Sequence, residues 1–215
     1  MSDEIKINIL RPFGPSVAKL TMPKQLIDIL NDYVDKTILD IGKLDELDHG
    51  GKLAGNVKQE FKLENDFLEK SGFLKFLAFG TTNWLKFSDQ KAVTKFEVLD
   101  SWVVRQFKNE YNPLHYHSGH VSGVGYLKIP TNTGESVQSS KKKNLNGQIA
   151  LVHGNRLFNS RAMINIKPTV GDFYIFPNYL MHTVYPFSGS NEERRSVSFN
   201  AVIDEEIYNV YGSKK

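Results

Sequence analysis

The chain has no cysteine. Disulfides, thiolate metal sites and cysteine nucleophiles are therefore excluded. Any metal must be held by imidazole, carboxylate or water, a donor set that suits iron, zinc, manganese, nickel or copper. The absence of disulfides agrees with a cytoplasmic location. No apolar run approaches the roughly 20 residues that span a bilayer. The polar start Met1-Ser2-Asp3-Glu4-Ile5-Lys6 predicts no signal peptide. The excess of one sign of charge is also small. A net charge of +3 gives no argument for nucleic acid, and the compact basic run Lys141-Lys142-Lys143 lies in a Ser- and Asn-rich stretch that reads as a solvated loop.

What is present is ordinary for a soluble globular protein: 215 residues, 40% hydrophobic and 24% charged. That length supports one compact domain with a substantial core. Residues 1–94 read as a helical N-terminal region, 95–205 as a β-rich core and 206–215 as a tail. Pro23 can open a helix in which Leu26, Ile29, Leu30, Tyr33, Val34, Thr37 and Ile38 recur at helical spacing. A second helix is expected from about Val57 to Leu77, after a polar, glycine-rich loop from Asp45 to Gly55.

From about Lys95 the pattern changes to short strands. Phe96, Val98, Trp102 and Val104 alternate with other residues. Further strands are expected at Val121–Ile129, Gln148–Val152, Met163–Lys167, Asp172–Phe176 and Ser196–Ile203, separated by turn residues such as Asn146-Gly147 and Gly154-Asn155. Many short strands with turn signals predict a mainly β fold, a sandwich or barrel. Residues 131–146 read as a mobile insertion. In the last strand Arg194, Ser196, Ser198 and Asn200 share one face, and Arg195, Val197, Phe199 and Ala201 the other. The polar face meets either solvent or a polar pocket.

Five of the six histidines fall between His115 and His182. His115 and His117 form an H-x-H pair, which a strand would present on one face. His182 follows Gly171-Asp172 and Pro177 and can close a triangle around a metal. His120 is a weaker rival, and His49 and His153 read as structural or surface residues. Arg194, shortly after His182, can hold a carboxylate in bidentate fashion. Trp102, Tyr111 and Tyr116 suit either a pocket wall or the core.

Four strings together carry a resemblance: Asn112-Pro113-Leu114-His115-Tyr116-His117, then Val121 through Tyr126-Leu127, then Gly171-Asp172 through His182, then Arg194-Arg195-Ser196 through Asn200. Over roughly residues 95–205 the chain resembles the 2-oxoglutarate–Fe(II) oxygenase superfamily, and within it the oxygenases of bacteria and phages whose proximal motif reads H-x-H. The resemblance implies a double-stranded β-helix, or jelly roll, braced by the N-terminal helices. It implies Fe(II) on His115, His117 and His182, with His117 where the family usually has a carboxylate. The cosubstrate 2-oxoglutarate would be held by Arg194, Ser196 and Tyr126, Arg195 being the less suitable arginine because Val197 and Phe199 share its face. The activity implied is hydroxylation of a carbon on a protein side chain or small molecule, with dioxygen consumed and succinate and CO2 released. No catalytic residue beyond the metal ligands is implied. A phage gene would place the enzyme in the host cytoplasm.

Two other readings stay open. A cupin would use a similar H-x-H and distal His, but the stretch after H-x-H, with Val121 and Ser122, lacks the Glu cupins need. A non-catalytic β-barrel binding protein would keep the fold without turnover.

Overall fold

The computed structural model describes residues 6–10 and 14–209. Most of the opening Met1–Lys6 run and the end of the 206–215 tail lie outside these. The chain folds as β1 (Ile7–Leu10), β2 (Val17–Thr21), α1 (Lys24–Thr37), α2 (Ile41–Glu46), β3 (Gln59–Lys62), α3 (Asn65–Lys70), α4 (Phe73–Asp89), β4 (Phe96–Gln106), β5 (Asn112–His115), β6 (Val121–Lys128), β7 (Ile149–Val152), β8 (Met163–Ile166), β9 (Asp172–Pro177), β10 (Met181–Val184), β11 (Arg194–Ile203) and α5 (Glu205–Tyr208). The fold is mainly β, with two antiparallel sheets. The larger has the order β1-β2-β9-β6-β11-β4-β3 and the smaller β5-β10-β7-β8. From β4 onward the chain passes back and forth between the sheets, with β7 and β8 consecutive in the smaller one, and residues of both sheets share one buried cluster.

Helix α1 forms as its spacing predicts. Pro23 precedes its first turn, and Leu26, Leu30, Val34 and Thr37 are the buried positions. The expected helix over Val57–Leu77 is corrected. Gln59–Lys62 instead add strand β3 to the edge of the larger sheet, Glu60 pairing with Val104 and Phe61 with Val103. Phe61 becomes fully buried by doing so, and that tertiary pairing overrides local helical spacing. Gly72, at φ 80°, then separates α3 from α4. Strands β1 and β2 also fall in the stretch read as helical. In α4, a Cβ on Gly80 would come within 2.7 Å of Leu20 and 2.8 Å of Ile175. The helix can sit this close to the sheet only because that residue is glycine.

One core lies between the helices and the larger sheet, with Leu30, Phe73, Leu77, Phe173, Val197 and Phe199 among its members. A second lies between the sheets and includes Tyr126, Ile149, Leu151, Tyr174 and Phe176. Strand β11 divides them. Val197, Phe199 and Ala201 enter the helix-side core, while Arg194, Ser196, Ser198 and Asn200 line a cavity on the other face. In β4 the expected common face of Phe96, Val98, Trp102 and Val104 is corrected. The pairing with β11 slips between Asn200 and Ala201, and such an irregularity exchanges the faces. Phe96 and Val98 pack with the helix-side core, and Trp102 and Val104 line the cavity.

Candidate metal centre

Strand pairing builds the histidine cluster. β10 and β5 run antiparallel with His182 directly opposite His115, and their ring centroids are 4.2 Å apart. The strand carrying the H-x-H pair ends at His115, so His117 reaches the cluster by another route. Its backbone N–H donates to the Asn178 carbonyl at 3.0 Å, and the Asn178 side-chain amide donates back to the His117 carbonyl at 3.1 Å. The His117 ring then lies 5.1 Å from that of His115 and 4.8 Å from that of His182. One ligand nitrogen from each histidine falls within 4.8 Å of the others.

The partners of the three Nδ1 atoms decide which nitrogen is free. His115 Nδ1 meets the Pro113 carbonyl at 2.7 Å, His182 Nδ1 the Leu180 carbonyl at 2.9 Å, and His117 Nδ1 the Asn200 Oδ1 at 2.7 Å. A carbonyl oxygen only accepts, so each Nδ1 carries its hydrogen and each Nε2 keeps its lone pair if the ring is neutral. Burial pushes all three pKa values down. His117 reaches about 4, against a partly opposing bond to Asn200. His182 falls well below the ordinary value, its histidine neighbours adding to the effect of burial, and His115 is lowered as well. Three neutral imidazoles converge as a metal site needs, each with the acceptor behind it that orients a ligating histidine. Trp102 at 5.4 Å from the His117 ring and Phe176 at 5.1 Å from the His182 ring confine them.

The cluster opens into a cavity of about 300 Å³ that Arg194 and Ser196 also line. Arg194 is 2% exposed. Its Nη1 donates to Gln106 Oε1 at 2.9 Å, while Nε and Nη2 are buried with no hydrogen-bond partner among the described residues. Burial lowers its pKa, with Tyr126 opposing. Tyr126 stands directly across from Ser196 and is fully buried, its ring centroid 5.0 Å from the guanidinium carbon. Its hydroxyl faces the guanidinium short of good hydrogen-bond geometry, and burial raises its pKa against the lowering effect of Arg194. An unpaired buried cation with two idle donors is costly unless an anion joins it. A carboxylate from a cosubstrate matches that donor set.

Arg195 is placed differently. It bonds to Glu193 at 2.7 Å, Asp35 at 2.6 Å and Asn31 Oδ1 at 2.9 Å, tying α1 to the sheet. His120 stands apart from the cluster: its Nδ1 accepts the Ile203 N–H and its ring stacks on Tyr208. His49 is buried near Trp102. None of residues 131–146 lines the cavity, whereas Lys52, Leu53 and Ala54 do. Asn200, Gln106 and Glu60 are site residues that the motif reading passed over. Asn200 stood on the polar face of β11, which was the available signal. Gln106 and Glu60 gave none.

Comparison with known proteins agrees with this geometry. Residues 100–200 match the model of a family described as "Putative 2OG-Fe(II) oxygenase". Its name supplies the two cofactors, Fe(II) and 2-oxoglutarate. Solved structures of similar fold include a Pseudomonas putida prolyl-4-hydroxylase, with 14% identity, 86% of this chain and 91% of that chain covered, and a TM-score of 0.58. A viral collagen prolyl hydroxylase from Paramecium Bursaria Chlorella virus-1, in complex with 2-oxoglutarate, has 14% identity, 86% and 94% coverage and a TM-score of 0.52. HygX from Streptomyces hygroscopicus, with nickel and 2-oxoglutarate bound, has 11% identity, 86% and 81% coverage and a TM-score of 0.51. No curated protein matches the sequence. Among the described residues no helix is long and apolar enough to cross a membrane.

Proposed function

We propose that the chain is an Fe(II)- and 2-oxoglutarate-dependent dioxygenase that hydroxylates a carbon of a protein side chain or small molecule. Its core, residues 95–205, is a jelly roll that the N-terminal helices brace from outside. His115, His117 and His182 hold the iron through Nε2. Arg194 and Ser196 receive the far carboxylate of 2-oxoglutarate, with the Tyr126 hydroxyl as a further donor. The observation that carries this reading is the buried Arg194 with two unpaired donors in the cavity that the three histidines share.

When bound, iron and 2-oxoglutarate supply the oxidising chemistry, in which dioxygen gives one oxygen to succinate and one to the product alcohol while CO2 leaves. The protein's part is orientation and exclusion of water. The Nδ1 acceptors hold the imidazoles on their axis. Arg194 sets the direction of the keto acid by charge and by two parallel bonds. Trp102, Phe176 and Val184 line the cavity with apolar surface, which strengthens the electrostatics within.

Anaerobic titration with Fe(II) and 2-oxoglutarate tests the proposal. A visible charge-transfer band in the wild type, lost in His182→Ala, is expected. Metal binding without the band favours a cupin-type protein, and binding of neither leaves a non-catalytic barrel.

A further inference from the structure

The cavity holds a second buried ionisable group without a partner, on a different strand from Arg194. Glu60 sits within β3 and is only 3% exposed, yet its Oε1 is buried with no hydrogen-bond partner among the described residues. Of the residues lining the cavity it is the acidic one. Its backbone carbonyl accepts the His49 N–H, but the carboxyl is left over.

Register fixes where that carboxyl stands. Glu60 pairs with Val104, Val104 with Ser196, and Ser196 with Tyr126. One row therefore crosses four strands, from Glu60 to the arginine pocket. At about 4.8 Å per strand, Glu60 lies roughly 10 Å from Ser196. Two residues along, in the next row on the same face, Lys62 pairs with Trp102, which puts Trp102 diagonally beside Glu60 on the cavity face. Gly55 backs the carboxyl: a Cβ there would approach Oε1 to 2.6 Å. The basic residue two places along β3, Lys62, is bonded to Asp100 at 2.6 Å. Lys52 lines the cavity without pairing to Glu60.

A carboxyl kept for stability alone would have its partner inside the fold, because burying one unpaired is costly. Here no such partner stands among the described residues, and a cation from outside would supply it. Once ionised, a desolvated carboxylate in a cavity that an indole also lines selects a cation over a neutral donor. The carboxylate offers a charge-assisted bond and the ring a cation–π contact. We infer that Glu60 and Trp102 recognise a cationic nitrogen, an alkylammonium or a guanidinium, on the primary substrate. The inference rests on the oxygenase reading for the cavity's being a substrate site. The cation then anchors at β3, and a carbon of the same molecule faces the histidines.

The protein's two tryptophans make the test direct. Fluorine NMR of protein labelled with fluorotryptophan reports Trp102 at the cavity. Trp84, bonded to Ser16 in the helix layer, serves as the internal control. The probes are butylammonium, butylguanidinium and butanol, with a blocked tripeptide centred on lysine or arginine. Saturable shifts of the Trp102 signal by the cations and not by butanol are expected. Glu60→Gln, an isostere, weakens the cations roughly tenfold or more, and Glu60→Asp keeps the preference for cation over alcohol. Tighter binding of the tripeptide points to a protein side chain, and tighter binding of the free cation to a small molecule. Both uphold the inference. Equal response to butanol, no response to either cation, or undiminished cation binding by a folded Glu60→Gln overturns it. The Fe(II)–2-oxoglutarate band, recorded on the same wild-type sample, separates the two readings. Band without cation binding removes only the Glu60 assignment, and cation binding without band removes only the oxygenase.

Discussion

Asn200 holds His117 by its side-chain oxygen. The amide Oδ1 accepts from His117 Nδ1 at 2.7 Å and from the Ser122 hydroxyl at 2.8 Å. His117 lies beyond the end of β5, so this bond, and not the strand, sets its ring. Asn200→Ala frees the ring to turn. Metal affinity is expected to fall roughly 10- to 100-fold, measured by competition with a chelator of known affinity. Unchanged affinity in a folded variant would mean that Asn178 alone orients His117.

Arg194→Met separates function from stability. Losing the charge should weaken 2-oxoglutarate by about 2–5 kcal/mol, read by calorimetry, with metal affinity kept. The ligand-free protein should gain on the order of 1 kcal/mol in thermal unfolding, because an unpaired buried cation is gone. A variant that binds 2-oxoglutarate normally would refute the assignment of the pocket.

Arg195→Met should do the reverse. It removes the bonds to Asp35 and Asn31 that join α1 to the sheet, and the neighbouring pair with Glu193. A loss of about 2–3 kcal/mol is expected, at or below the lower end for buried pairs because Asp35 is half exposed. Urea unfolding measures it. The folded fraction should bind 2-oxoglutarate as the wild type does.

Glu60 gives a stability difference that depends on pH. Burial, aided by the Asp48 charge, pushes its pKa up to about 7 from an ordinary 4.5. The folded state therefore keeps a proton that the unfolded chain has released between those values. The stability linked to that proton is fully present below 4.5 and is lost as pH rises through 7. Glu60→Gln, which stays neutral, should match wild type near pH 4 and exceed it by on the order of 3 kcal/mol near pH 8. Parallel unfolding curves across that range would show that the carboxyl is paired or solvated. Lys52, on the same cavity wall, is the cation whose movement would produce that outcome.

Much of this site could be read before the fold was seen, for a physical reason. An H-x-H pair in a strand-like stretch puts two imidazoles on one face, and the polar face of β11 shows directly in its alternation. Alternation does not distinguish solvent from pocket, however. The smaller sheet, which covers that face, decides it. Glu60 was hidden because a four-residue edge strand is shorter than the period needed to outweigh helical spacing, and β4 rather than local sequence makes it a strand. The roles of Asn200 and Asn178 depend on the chain turning back beyond His115, which no periodicity records. The exchange of faces in β4 depends on pairing in the same way.

Strand β11 puts Arg194 on one face and Arg195 on the other, one facing the cavity and the other bound to α1. It therefore behaves as a reading frame. Inserting or deleting one residue between Phe199 and Asn200 would exchange the two arginines. It would also turn Val197 and Phe199 into the cavity and bury Ser196 and Ser198 against the helices. Such a strand can evolve by substitution, or by changes of two residues at a time, but hardly by single steps in length. Any drift in length must be absorbed in the turn before Arg194.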